Sequence, residues 1–275
     1  MKLYVVGTPI GNLGDLSPRA REVLSTVDFI AAEDTRVTLK LLTHFDIKKP
    51  MISYYEHNLR ERGEYVLGRI VAGESCAVVS DAGMPCISDP GEDLVRLCRN
   101  REIPVEVVPG PSAAISALAV SGLITSRFSF EGFLSTAKKA RAEHLDEVKD
   151  NPRTLIFYEA PHKLRATLAD MLRVFGDRQI SLARELTKIH EEVRRTTLGE
   201  AVEYYAANAP RGEFVLLITG AAPKVVERLT LEQAVAIAKD YAREGLSLSE
   251  AAKRAASETG YRKSELYTAV IADKD

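Results

Sequence analysis

The stretch Cys76-Ala77-Val78-Val79-Ser80, running on into Asp81-Ala82-Gly83-Met84-Pro85-Cys86-Ile87-Ser88-Asp89-Pro90-Gly91, decides the fold. Its first part is apolar without alternation, the pattern of a strand buried on both faces of a parallel sheet. Its second part is a long loop at that strand's carboxyl end, where open α/β sheets bind ligands. Gly83 lets a ligand approach the backbone, and Pro85 and Pro90 stiffen the loop. Asp81 offers a carboxylate suited to ligand hydroxyls or a cationic amine. Asp89 reads as the N-cap of the next helix.

Outward from this stretch, strands and helices alternate. Leu3–Val6, Phe29–Ala32, Met51–Tyr54 and Val105–Val108 read as further strands. Between them lie helices after Ser17-Pro18 and at Thr38–Phe45, Glu61–Val71, Glu92–Arg101 and Ala113–Ser121. Such alternation predicts a parallel sheet with right-handed crossovers. A second set of strands follows at Phe128–Phe133, Thr154–Tyr158, Ile180–Arg184 and Phe214–Thr219. Helices at about 138–149, 161–174 and 199–207 separate them. Ala221–Arg228 reads as a linker, and 230–273 as wholly helical. There Ser249 is the expected cap and Gly260 the turn of a helix-turn-helix shape. The domains expected are 1–122, 123–222 and 223–275.

Composition narrows the class. The length of 275 residues suits two domains, and 45% apolar and 28% charged residues are an ordinary globular balance. Net charge is −2 over the chain and zero over 228–275, so no nucleic-acid partner is announced by bulk charge. The three cysteines form no CxxC pair, which argues against zinc and against a disulfide framework. No apolar run approaches the ~20 residues that span a bilayer. A cytoplasmic protein without membrane or DNA partners is expected. The loop Gly7-x3-Gly11-x2-Gly14 is neither G-x-G-x-x-G nor a P-loop, so neither a dinucleotide nor a nucleotide-triphosphate site is supported. Pro109-Gly110-Pro111-Ser112-Ala113 opens a helix whose exposed N–H groups make a second wall for a pocket beside Asp81.

Seven segments in order, GTPIGNLGD, AEDTR, SDAGMPCISDPG, VPGPSA, FYEAPHK, ARELTKIHEE and RGEFVLLI, span about residues 3–220. Together they resemble the tetrapyrrole-methylase superfamily, the class III methyltransferases, and within it the branch acting on ribosomal RNA. The resemblance implies two α/β domains of the tetrapyrrole-methylase type with a C-terminal all-helical extension. It implies S-adenosyl-L-methionine as donor and 2′-O-methylation of a cytidine in the decoding region of 16S ribosomal RNA, with the small ribosomal subunit as partner, a homodimer as assembly and no metal. The implied donor contacts are Pro9, Ile10, Asp81, Ala82, Gly83, Met84, Ile87, Ser112 and Ala113. The second domain adds Tyr158, Leu186, Gly212 and Glu213.

The run Arg184-Glu185-Leu186-Thr187-Lys188-Ile189-His190-Glu191-Glu192 supplies the candidates for chemistry. A ribose hydroxyl is a weak nucleophile at neutral pH and gains from a base or a nearby cation. Glu185 can accept a proton or fix the sulfonium end of the donor. Lys188 or Arg184 can hold an alkoxide or a phosphate, and His190 has a suitable ordinary pKa. A solvated, salt-bridged loop is the plain alternative. For RNA, Asn12, Asp34 and Arg36 stand in loops after strands, with Arg36 toward phosphate. Lys138 and Lys139 belong either to a basic loop beside the cleft or to a solvated helix face. His162 can meet a splayed-out base. A porphyrin-precursor methyltransferase and a non-enzymatic RNA-binding protein remain as alternatives.

Overall fold

The computed structural model describes residues 1–55, 59–222 and 229–272. Two compact units divide the chain, Met1–Ala222 and Pro223–Asp275. The first unit begins with strand β1 (Lys2–Val6), helix α1 (Pro18–Thr26), β2 (Phe29–Ala32), α2 (Thr35–His44) and β3 (Met51–Ser53). It continues with α3 (Leu59–Val71), β4 (Ser75–Val79), α4 (Glu92–Asn100), β5 (Val105–Val108) and α5 (Ala113–Ser121). The five strands form one parallel sheet in the order β3-β2-β4-β1-β5.

Burial on both faces explains the unbroken apolar runs. On one face Val6, Ile30, Ala77 and Val79 pack against Leu24 of α1 and Leu42 of α2. On the other, Leu3, Phe29, Cys76 and Val78 pack against Ile70 of α3 and Leu94 of α4. The neighbours β1 and β4 therefore send the chain to opposite faces. Their carboxyl ends form the switch point at which such sheets open a crevice. Across it, the Thr8 N–H donates to the Gly83 carbonyl at 2.9 Å and the Gly83 N–H to that of Thr8 at 3.1 Å.

The second sheet comprises β6 (Phe128–Phe133), β7 (Thr154–Glu159), β8 (Gln179–Arg184), β9 (Glu192–Thr197) and β10 (Phe214–Ile218). Helices α6 (Lys138–Val148), α7 (Leu164–Phe175) and α8 (Leu198–Ala207) lie between them in the chain. The order is β6-β7-β10-β8-β9, and β10 runs antiparallel to both β7 and β8. The carboxyl ends of β6, β7 and β8 and the start of β10 thus share one edge. One face is covered by α6, α7 and α8 through Leu145, Leu168, Met171 and Leu198.

The opposite face is covered from the first half of the chain. Ala114, Ala117 and Leu118 of α5 pack on Ile156, Ala183, Val215 and Leu217. Burying a leucine contributes roughly 2 kcal/mol, so this contact is a substantial part of what joins the two sheets. α5 thus precedes the expected boundary at 122 yet packs on the sheet that follows it.

Four details differ from the sequence reading. β9 has no counterpart in it: Glu-Val-Arg-Arg-Thr-Thr is an edge strand whose polar residues pair beside the sheet. Asp89 does not cap α4, whose N-cap is Gly91 with no side-chain cap bond. Helix α7 starts at Leu164, because Pro161–Lys163 forms a turn closed by the Lys163 N–H on the Ala160 carbonyl. The second unit contains α9 (Leu231–Arg243), α10 (Leu248–Thr259) and α11 (Lys263–Ala272) around Ala238, Ala252, Ala255 and Leu266. There the cap of α10 is Ser247, not Ser249, because a capping box needs its glutamate three residues on, at Glu250. Part of the expected linker, 223–228, lies outside the described residues. Among the described residues no helix is long and apolar enough to cross a membrane.

Candidate active site

A cleft of about 310 Å³ opens between the carboxyl end of the parallel sheet and the matching edge of the second sheet, within the first compact unit. The loops that build it touch at glycines. A Cβ on Gly7 would lie 2.7 Å from the Gly110 Cα and from the Met84 sulfur, so the loops after β1, β4 and β5 meet only because both positions are bare. The β4 loop is held in an uncommon backbone: Cys86 and Ser88 have φ of 72° and 62°. Non-glycine residues adopt such angles at a cost, and they gather at functional sites. Glu185 and Thr187, in the turn after β8, have φ of 51° and 65°.

The wall from the first sheet is acidic. Glu33 follows β2, and Asp81 and Asp89 belong to the β4 loop; all three line the cleft. Burial raises the pKa of Glu33, and Asp81 and Asp34 add to the effect although the Asp81 N–H donates to its carboxylate. Burial likewise raises Asp81, which accepts the Asp34 N–H at 3.1 Å. Asp89 is pushed up to about 6 by burial and by Glu33, Asp81 and Glu213, against a hydrogen bond from Ser80. A carboxylate wall of this kind favours a cation. Next to it, Ser112 and Ala113 start α5, and the Ser112 side chain makes no cap bond.

The facing wall is mixed. The Tyr158 hydroxyl accepts the Ala114 N–H at 3.2 Å, tying the second sheet to the start of α5, and burial raises its pKa. Its ring meets Phe130 and Phe133 at centroid distances of 5.1 and 5.4 Å. Lys188 pairs with Glu185 at 3.1 Å. Arg184 forks onto Glu192 at 2.7 and 2.6 Å. Burial works to raise the Glu192 pKa, but Arg184 and Arg194 outweigh it and hold the carboxylate below its usual range. Leu186, Phe214 and Val215 supply apolar surface. Among the described residues no group of three or more His, Cys, Asp or Glu is arranged to hold a metal ion.

The sequence profile of the Tetrapyrrole (Corrin/Porphyrin) Methylases matches residues 2–202. A ribosomal RNA small subunit methyltransferase I from Synechocystis sp. is 48% identical over 266 residues, covering 96% of this chain and 95% of that one. The chain belongs to the tetrapyrrole methylase family, in its ribosomal RNA small subunit methyltransferase I group. A member of the group from Thermotoga maritima is 47% identical over 219 residues, which are 80% of this chain and 98% of that one. The tetrapyrrole methylase fold is shared with the uroporphyrin-III C-methyltransferase of Thermus thermophilus, solved as a complex with S-adenyl homocysteine. That structure superposes with a TM-score of 0.57 at 20% identity, over 78% of this chain and 97% of that one.

Against this tetrapyrrole methylase frame the sequence-derived positions sort clearly. Ile10, Asp81, Ala82, Gly83, Met84 and Ile87 line the cleft, as do Ser112, Ala113, Tyr158, Leu186 and Glu213. Pro9 and Gly212 do not. Gly212 instead lies under Glu185, whose Oε1 would be 2.5 Å from a Cβ there. Of the candidates for chemistry, Glu185 and Lys188 line the cleft and His190 is outside it. The Glu191 N–H bonds back to the Lys188 carbonyl, and the turn so formed carries Ile189, 97% exposed, and His190 into solvent.

Of the RNA candidates only Arg184 lines the cleft, and it is engaged by Glu192. Asn12 accepts the Gly14 N–H at 2.9 Å and caps a short 3-10 turn. Asp34 caps α2 and is clasped by Arg36, whose side chain is otherwise exposed. His162 is exposed in the turn after β7. Lys138 and Lys139 sit in the first turn of α6, a helix face rather than a loop, with Lys139 3.8 Å from Glu143. Sequence reasoning missed Glu33 and Asp89 as cleft residues. The available signal was the pairing of carboxylates at the ends of the adjacent strands β2 and β4.

Proposed function

We propose that this chain methylates ribosomal RNA of the small subunit, using S-adenosylmethionine to modify the 2′-hydroxyl of a cytidine in the decoding region of 16S ribosomal RNA. The observation that carries the reading is a cleft with carboxylates on one wall and the Lys188–Glu185 pair on the other. The names of relatives up to 48% identical across nearly the whole chain support the RNA substrate.

The residues present fit the donor. Its sulfonium and ammonium are cations, which Asp81 and Glu33 favour. Its adenine needs apolar walls, which Ile10, Met84, Leu186 and Val215 provide. The start of α5 offers N–H donors suited to its carboxylate. When bound, the donor supplies a methyl group already activated for displacement. The chain's task is then to orient the acceptor and exclude water. Lys188 favours the oxygen as negative charge develops there, and Glu185 holds the ammonium in place. Arg36, Lys138, Lys139, Asn12, Arg184 and His162 serve the approach of the RNA rather than the chemistry. A ribosomal substrate places the reaction in the cytoplasm, and we take the working form to be a homodimer.

The test is transfer of isotope-labelled methyl to small subunits from cells lacking the modification, followed by nuclease mapping and mass spectrometry. Label on the ribose of one cytidine is the expected result. Donor binding without any label on the subunit would discard the RNA substrate and turn the search to small molecules.

A further inference from the structure

We propose that Asp89 accepts the proton of the acceptor hydroxyl as the methyl group is transferred, a role that rests on the function proposed above. Its position is the first argument. Asp89 lines the cleft, and it also lines an adjoining groove of about 620 Å³ with Tyr55, Ser88 and Arg96. Asp89 and Glu33 are the two carboxylates that border both spaces. A hydroxyl presented from the groove to a donor in the cleft passes these carboxylates.

The second argument is how the side chain is held there. Helix α4 begins at Glu92 with Gly91 as its N-cap and no side-chain cap bond, so Asp89, two residues earlier, is not spent on capping it. The residues just before it, Cys86 and Ser88, hold left-handed backbone angles of 72° and 62°. The carboxylate is kept in a half-buried place, and burial first, then the charges of Glu33, Asp81 and Glu213, pushes its pKa up to about 6. A base with a pKa near the working pH is the effective kind.

The third argument is elimination within the cleft. Asp81 and Glu213 line the cleft but not the groove, and Glu33, which borders both, is tied down by the Asp81 N–H. Glu185 is paired with Lys188, and His190 points away. On the groove side, Glu92 and Asp93 add negative charge, while Arg96 lies 3.7 Å from Glu92. Among the described residues no lysine or arginine pairs with Asp89.

The step balances. The hydroxyl O–H bond breaks and its proton passes to a carboxylate oxygen of Asp89. The ribose oxygen forms a bond to the methyl carbon as the carbon–sulfur bond breaks, with that electron pair returning to sulfur. The products are a 2′-O-methyl ribose, a neutral thioether and a protonated Asp89, which then loses its proton to water in the groove.

The experiment measures single-turnover methylation of small subunits at saturating donor between pH 5 and 8.5, with donor affinity measured separately by calorimetry. For the wild type the rate rises about tenfold per pH unit along an acid limb and levels off above it, the limb lying below the ligand-free value because the bound donor's positive charge favours the carboxylate. In the ligand-free protein the Asp89 side-chain carbon titrates near about 6 by NMR. In D89N the rate at pH 7.5 falls by about 10²–10⁴-fold and loses that limb, while donor affinity stays within about threefold. D89E recovers part of the rate. Donor affinity falling in step with rate in D89N would make Asp89 a donor-binding group and overturn the role, as would a D89N rate near that of the wild type. A wild type that labels no subunit would instead overturn the proposed function, and this role with it.

Discussion

At the scale of single residues, Asp89 carries a stability signature as well as a chemical one. In the unfolded chain its carboxyl has the ordinary value of 3.8, and in the folded protein about 6. Between those values the folded state holds a proton that the unfolded chain has lost, so stability falls as pH rises from about 4 to 6 and stays lowered above. The full difference corresponds to about 3 kcal/mol, and solvent screening at a partly exposed site reduces it to the order of 1 kcal/mol. D89N is therefore expected to melt roughly 2–4 °C above the wild type at pH 7.5 and to converge with it below pH 4. A D89N that melts lower at pH 7.5 would refute this. The same residue shows where sequence reasoning stopped. Aspartate before a helix reads as a cap, but Glu92 and Asp93 already place negative charge in the first turn of α4, and the φ angles that redirect the loop have no sequence signature in Cys86 and Ser88.

At the scale of elements, legibility followed burial. The strands β1, β2 and β4 are apolar at nearly every position because helices cover both faces, and their apolar runs were readable as such. β9 lies at an edge, and its Arg194 reaches Glu192 and the ring of Tyr204 instead of a core, so no hydrophobic period marked it. Helix α5 was readable as a helix but not in its allegiance. Its sequence, Ala-Ala-Ile-Ser-Ala-Leu-Ala-Val-Ser, is apolar nearly all round, and only the structure shows which face meets the second sheet. Tyr158 secures that meeting through its bond from the Ala114 N–H. Tyr158→Phe keeps the ring packing and removes the acceptor, which costs about 1 kcal/mol. The expected outcome is a Tm lower by about 2–4 °C and a several-fold weaker donor affinity by calorimetry. An unchanged Tm with unchanged affinity would show that water replaces the hydroxyl without penalty.

At the scale of the whole molecule, the cleft and both sheets belong to Met1–Ala222, and the three-helix unit has its own core at Ala238, Ala255 and Leu266. A chain ending at Ala222 should fold and bind the donor within about twofold of the full protein. Loss of donor binding in that truncation would contradict the division. The order of motifs along the chain made the two-sheet architecture readable. The position of the last strand was not, because nothing local to Phe214–Ile218 says that it enters between β7 and β8. That position has a consequence during translation. β7 is complete at Glu159 and β10 at Ile218, 59 residues later. At about 5–20 residues per second, the nascent chain waits roughly 3–12 s with the inner edge of β7 unpaired, joined after Arg184 by that of β8. Chaperone capture in that interval guards the yield of the protein, and ribosome stalling between residues 160 and 213 is where synthesis is most exposed to aggregation.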